Sequence, residues 1–421
     1  MPRLIEVEFK PPFILLKSGR IAASFERFGR TRAAGALGWL SLGALPFIAG
    51  AGLTLLLLSF LAILSRPEVQ EAQRQIGPQG LLLIPGLNPY LPILYGWLAL
   101  VIALVVHEGM HGVLARRLGY TVRSSGIILF LILPIGAFVE TDDNEIRTGR
   151  VRDVSRILAG GPAANVGVAL ISLAFLATLT IGLQPAPVMV VEEVFEGSPA
   201  MEAGLRPGDV LLAVNGRSAV SLTVLSESVS SAGYGGEVEL EVARPEAGTL
   251  RLRVGVEDLG MGRPMIGVRI GNAEIQEWSY QYLDSYKRGA LSNPLIFLLP
   301  PSFYPAHPFS QLSVCQGDEG EPRCWPVSDL FRHPLLGDSY LTVANALYWI
   351  WFVNFNVGIF NALPIYPLDG GQILRRLLSA SLGTRIGEGG VRIAVTMVSL
   401  VVTGIVISLF TVPYLAPLLR Q

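Results

Sequence analysis

Val101 to Ala115 reads V-I-A-L-V-V-H-E-G-M-H-G-V-L-A, which sets the pattern H-E-x-x-H inside an apolar run that begins near Leu91. Residues four apart share one face of a helix, so His107 and His111 can point two imidazoles at one zinc ion. Glu108, beside the first of them, is within reach of a water on that ion and can take its proton. A carboxylate within a bilayer-length apolar segment costs roughly 2.5–3.5 kcal/mol on insertion scales, so its presence there points to chemistry. The bland reading of the same residues is two packed histidines beside a Glu that snorkels to the interface.

Around this stretch the composition is that of a membrane protein. The chain has 421 residues, 51% of them hydrophobic and 15% charged, and a mean hydropathy of +0.50. That leaves enough polar sequence for a soluble domain as well. A formal net charge of −1 offers no basic surplus for phosphates, so no nucleic-acid partner is expected. Cys315 and Cys324 are too few for a zinc-thiolate cluster. The amino terminus lacks the charged-then-apolar pattern of a cleaved signal peptide.

Hydropathy and charge divide the chain as follows. Residues 1–36 form a polar segment carrying Lys10, Lys17, Arg20, Arg27, Arg30 and Arg32, which the positive-inside rule places in the cytoplasm. Residues 37–64 make the first transmembrane helix, 91–183 the first half of a membrane core and 187–271 a soluble domain. Residues 272–340 connect outside the membrane, and 341–418 supply the second half of the core with the last transmembrane helix. About five spans result, and the pairs Arg116–Arg117 and Arg375–Arg376 both fall on the cytoplasmic side. At 1.5 Å per residue, His107 lies roughly two-thirds of the way across its span.

Ser125 to Val139, S-G-I-I-L-F-L-I-L-P-I-G-A-F-V, is apolar but short and broken by Pro and Gly. It is expected to form a re-entrant hairpin or strand pair beside the site, the alternative being a sixth short helix. Asp142, Asp143 and Glu145 read as solvated surface, and His307 and His333 as surface residues in Pro-rich loops. Asn165 stands in a helix of small residues, where its amide either binds substrate backbone or ties two helices together. With the 272–340 segment outside, Cys315 and Cys324 are free to form a small-loop disulfide.

A catalytic zinc needs three protein ligands and an open position. The other two histidines lie on the far side of the membrane, so a carboxylate from another span is expected as third ligand. Asp369 fits: Pro364 and Pro367 stop the preceding helix, and Gly370 and Gly371 let the backbone turn tightly. The competing reading is an Asp that caps the next helix.

Two resemblances follow from these motifs. Ser198 to Gly216, S-P-A-M-E-A-G-L-R-P-G-D-V-L-L-A-V-N-G, resembles the PDZ domains of bacterial and archaeal proteases, which capture extended peptides by strand addition; a mere spacer is the alternative. H-E-G-M-H at His107 to His111, with N-A-L-P-I-Y-P-L-D-G at Asn361 to Gly370, is similar to the paired motifs of the site-2 protease family, intramembrane zinc metalloproteases. The resemblance implies an α-helical multi-span membrane protein with an inserted α+β PDZ-like domain, which binds Zn2+ through His107, His111 and Asp369. It makes Glu108 the catalytic acid/base, with Asn165 and Asn361 positioning the substrate backbone. The implied substrates are single-span membrane proteins of the lipid bilayer, cut in or near their transmembrane segments. The implied setting is the cell membrane, with the PDZ domain extracytoplasmic and screening substrates. An inactive PDZ scaffold and a metal-binding transporter are the competing classes; no inverted repeat supports the second.

Overall fold

The computed structural model describes residues 6–130, 133–185, 189–218, 222–244, 247–271, 288, 313–316, 323–326 and 331–419. The chain divides into two compact units, 1–175 with 346–421 and 176–345. Residues 272–287 and 289–312, His307 among them, lie outside the described residues.

Among the described residues, five helices are long and apolar enough to cross a membrane. They are α2 (Arg32–Ser65), α4 (Ile93–Arg117), α6 (Val151–Ile181), α9 (Tyr340–Ala362) and α10 (Asp369–Leu419). Helix α2 is the simplest case. Thr31 caps it by accepting a hydrogen bond from the Ala34 N–H at 3.2 Å, and its outer face presents Phe47 at 80% exposure. In water that face would be an error, whereas against acyl chains it is the expected solvent contact. Helix α10 has 51 residues and breaks at Gly387, whose φ of 68° and ψ of 167° are non-helical. An unbroken helix of that length would run about 75 Å, more than twice a hydrocarbon core of about 30 Å. Gly387, with no Cβ, takes the positive φ without strain.

The first unit also holds a four-stranded antiparallel sheet in the order β1 (Glu6–Lys10), β2 (Phe13–Ser18), β3 (Val122–Phe130), β4 (Leu133–Thr141). The apolar stretch after the H-E-x-x-H helix is thus a strand pair and not a sixth helix. Residues 1–36, read from composition as a polar segment, contribute two strands and α1 (Gly19–Gly29). The register runs from Phe13↔Phe130 to Ser18↔Ser125. Gly126 permits it, since a Cβ there would lie 2.0 Å from the Leu16 carbonyl oxygen. Phe25 of α1 packs with Leu114, Ala115, Val122 and Ile157. Asp142 caps α5 (Asp143–Thr148) and pairs with Arg123 at 2.5 Å, while Glu145 accepts from Thr121. These carboxylates serve local structure.

The second unit is built on an antiparallel sheet in the order Gly248–Gly255, Glu237–Arg244, Val210–Val214, Met189–Val194, Val268–Gly271. Its core of Val191, Leu211, Val214, Leu225, Val238, Leu240, Val242 and Val254 comes from alternate strand positions and from helix α8 (Leu222–Ala232), with the four-residue α7 (Pro199–Glu202) beside it. Asn215 and Gly216, both at positive φ, turn the chain so that Val214 faces Arg217. Cys315 and Cys324 sit directly opposite each other in a two-stranded pair. His333 departs from the surface role read for it. It is 4% exposed, accepts at Nδ1 from the Leu335 and Leu336 N–H groups, and stacks on Tyr340 at 5.5 Å.

Asp209 is the polar keystone of this unit. It is buried and receives both Nε and a terminal nitrogen of Arg244 at 2.8 Å, plus the Arg206 N–H at 2.9 Å. Removing one partner of a buried pair typically costs about 3–5 kcal/mol, because the other charge stays buried. Asp209→Ala is therefore expected to speed amide hydrogen exchange across residues 189–271 by a corresponding factor. Unchanged exchange would show that the pair does not hold the sheet.

Candidate metal centre

Two helical stripes face each other across α4 and α6. Ala103, His107 and His111 are spaced by four on α4, and Ile157, Gly161 and Asn165 are spaced by four on α6, so each trio shares a face. His107 Nδ1 lies 2.9 Å from Asn165 Oδ1, and His111 Nδ1 lies 2.8 Å from the Ile157 carbonyl oxygen. The Asn165 amide is oriented by its own nitrogen, which donates to the Ala103 carbonyl at 3.1 Å and to Asn354 Oδ1 at 3.1 Å. Its oxygen must then face His107. Both imidazoles therefore carry a proton on Nδ1 and turn Nε2 inward, the nitrogen that is left to bind a metal when the ring is neutral.

Asp369, the first residue of α10, completes the cluster. Its Oδ2 is 3.1 Å from His107 Nε2 and 3.4 Å from His111 Nε2, and all three ligating atoms lie within 4.8 Å of one another. A tetrahedral ion with bonds of about 2.0–2.2 Å separates its ligands by about 3.3–3.6 Å. Oδ2 is buried and has no hydrogen-bond partner. Two imidazole nitrogens and one carboxylate oxygen converging on a single point are a donor set that fits a divalent cation such as zinc. The turn that delivers Asp369 leaves no room for side chains: a Cβ on Gly370 would meet the Ala362 carbonyl oxygen at 2.1 Å, and one on Gly371 the Tyr366 nitrogen at 2.4 Å. Tyr366 N–H donates to Ser399 Oγ at 2.9 Å, which ties this turn to the last span.

The sequence model of peptidase family M50 matches residues 95–313 and 329–405. The chain belongs to peptidase family M50. An uncharacterised protein of Methanocaldococcus jannaschii is 37% identical over 159 residues, which are 37% of this chain and only 40% of that protein. A provisionally named zinc metalloprotease of Nostoc sp. is 24% identical over 332 residues, 69% of this chain and 88% of the relative. Another, from Clostridium perfringens, is 26% identical over 312 residues, 68% of this chain and 87% of the relative. At the level of the M50 family this is a membrane metalloprotease, and its matched regions contain all four charged or imidazole residues singled out by motif.

Glu108 is half-buried on the same helix as both histidines. Asn361 lies in the last turn of α9, half-buried, with its amide nitrogen donating back to the Val357 carbonyl at 3.0 Å. Asn165 differs from the substrate-positioning role that the resemblance implies. It is 0% exposed, and its amide is committed to His107, Ala103 and Asn354, so it has no surface to offer a substrate.

Gly161 and Asn354 were not singled out by sequence. A Cβ on Gly161 would lie 2.6 Å from His111 Nε2 and 2.7 Å from His107 Nε2. The signal was present in the spacing, since Gly161 falls one turn before Asn165 on the same face. Overpacking of this kind costs about 1–3 kcal/mol, and here the flexible party is the ligand pair. Gly161→Ala is expected to lower zinc affinity roughly tenfold or more while leaving the helical circular dichroism intact. Wild-type affinity in that variant would mean that the rings move aside freely.

Proposed function

We propose that this M50 chain is an intramembrane zinc endopeptidase of the site-2 type, which cuts single-span membrane proteins in or near their transmembrane segments. The observation that carries the reading is the convergence of His107, His111 and the unpartnered Asp369 Oδ2, next to Glu108, among helices that are apolar enough to span a bilayer. His107, His111 and Asp369 would hold the zinc, which when bound would supply a Lewis acid for the scissile carbonyl and for a water. Glu108 accepts the proton of that water and delivers it to the leaving amine nitrogen. Asn165 acts on the histidine and not on substrate, holding His107 in the Nδ1–H tautomer.

A transmembrane helix hides its amides, so the substrate has to be unwound before cleavage. Strand β4 packs against α4 and, among the described residues, is paired on one side only. An extended substrate segment adds to that free edge, with Asn361 supplying a further hydrogen bond. The second unit, with its G-L-R-P-G-D turn at Gly204 to Asp209, is read as a PDZ-like domain. On the charge pattern it lies outside the cell membrane and the amino terminus inside, and it admits substrates by their outer ends.

Glu108→Gln in detergent is expected to retain about one zinc per chain while cleavage of a single-span substrate falls by about 10²–10⁴-fold; persistent cleavage would remove Glu108 from the chemistry. Asn165→Ala and Asn361→Ala separate the two asparagine roles. The first is expected to weaken zinc affinity by about 10–100-fold. The second is expected to leave zinc content unchanged and to raise KM; the reverse pattern would restore Asn165 to the substrate.

A further inference from the structure

A cavity of about 480 Å³, lined by Arg32, Gly35, Trp39, Arg117, Leu118 and Arg156, shares no lining residue with the metal centre. Arg32, Gly35 and Trp39 occupy one face at the start of α2, Arg117 and Leu118 close the end of α4, and Arg156 comes from the first turns of α6. Three guanidinium groups thus face one space. The carboxylate of Asp153 stands nearby, 3.7 Å from Arg156 and 3.6 Å from Arg152, so the cluster keeps a positive surplus.

Arg156 is the unusual member. Its side chain is only 8% exposed, and its Nε is buried without a hydrogen-bond partner. One terminal nitrogen reaches the Gly35 carbonyl at a long 3.4 Å, and the Trp39 ring covers the guanidinium at 4.5 Å. An N–H of a charged group left buried without an acceptor is costly, on the order of 1–3 kcal/mol or more, even where other nitrogens of the group are paired. The small residues along α2 hold the groups in this space: a Cβ on Gly35 would stand 3.2 Å from Arg117, and one on Gly38 3.3 Å from Arg156.

We propose that this cavity binds the phosphate of an anionic phospholipid headgroup. A phosphate offers several acceptor oxygens to guanidinium forks, whose planar donors match it in pairs. The membrane is the source because the cavity lies at the head of a spanning helix. Trp39 is 51% exposed at the position of an interfacial anchor, and from there α2 turns exposed Leu40 and Phe47 toward acyl chains. Basic pockets between transmembrane helices capture lipid headgroups for these reasons.

The test uses the full-length protein in neutral detergent, titrated with phosphatidylglycerol, phosphatidylcholine or inorganic phosphate, with Tm and native mass spectrometry as readouts. Phosphatidylglycerol is expected to bind saturably and raise Tm, while the other two have little effect. Arg32→Gln with Arg117→Gln, two exposed positions, is expected to weaken that binding at least tenfold at unchanged circular dichroism. Arg32→Gln alone gives an intermediate loss and serves if the double variant misfolds. Equal binding by wild type and variants, or equal retention of phosphatidylcholine, overturns the site. Arginine-dependent binding of inorganic phosphate as tight as that of the lipid overturns the membrane source.

Discussion

Asp369 Oδ2 is buried 3.1 and 3.4 Å from the Nε2 atoms of His107 and His111, so three ligand atoms converge on one point. The point is electrostatically demanding, because a carboxylate in a low-dielectric interior is costly until a positive partner compensates it. The surrounding elements are arranged so that a cation meets that demand. Asn165 and the Ile157 carbonyl take up the Nδ1 protons, the helices supply two stripes in register, and the loop after α9 delivers the carboxylate from the far side. None of the three ligands is placed by its own neighbours in sequence alone.

Close approach of backbones is what makes the arrangement possible. A Cβ on Gly160 would meet Leu114 and Met110 of α4, one on Gly161 the two rings, and one on Gly358 of α9 the Pro162 carbonyl oxygen at 2.9 Å. In lipid the apolar surfaces of helices gain little from leaving the solvent, so small residues and interhelical hydrogen bonds carry association. The Asn165–Asn354 bond adds the polar tie between α6 and α9. The same residues therefore serve both stability and chemistry, and a substitution at Gly161 or Asn165 acts on both.

The two halves of the molecule use opposite physics. The second unit buries a valine- and leucine-rich sheet core away from water and stakes one buried ion pair, Asp209 with Arg244, on its turn. The first unit turns residues such as Phe47 outward and keeps its polar groups inside. At the start of α2 its apolar face gives way to the cavity lined by Arg32, Arg117 and Arg156.

Much of this was legible because it is local. H-E-x-x-H sets two imidazoles on one face by helical periodicity, long apolar runs announce spans, and Asn215–Gly216 calls its own turn through positive φ. Asp369 could be reached by elimination, since four histidines and the charge pattern left few groups on the right side. The role of Asn165 could not be read, because an amide in a helix binds whichever partner the neighbouring helix brings, and the approach of α4 and α9 decides that. Nor could the pairing of Lys17 with Gly126, more than a hundred residues apart, which turns a polar amino-terminal stretch into two sheet strands. By itself the sequence determined which side chains can do chemistry and which segments enter the bilayer, since both depend on residue type and short-range period. Tertiary structure alone decided which of them meet, because contact between distant helices depends on the clearance each glycine leaves and on which buried polar groups must be satisfied together.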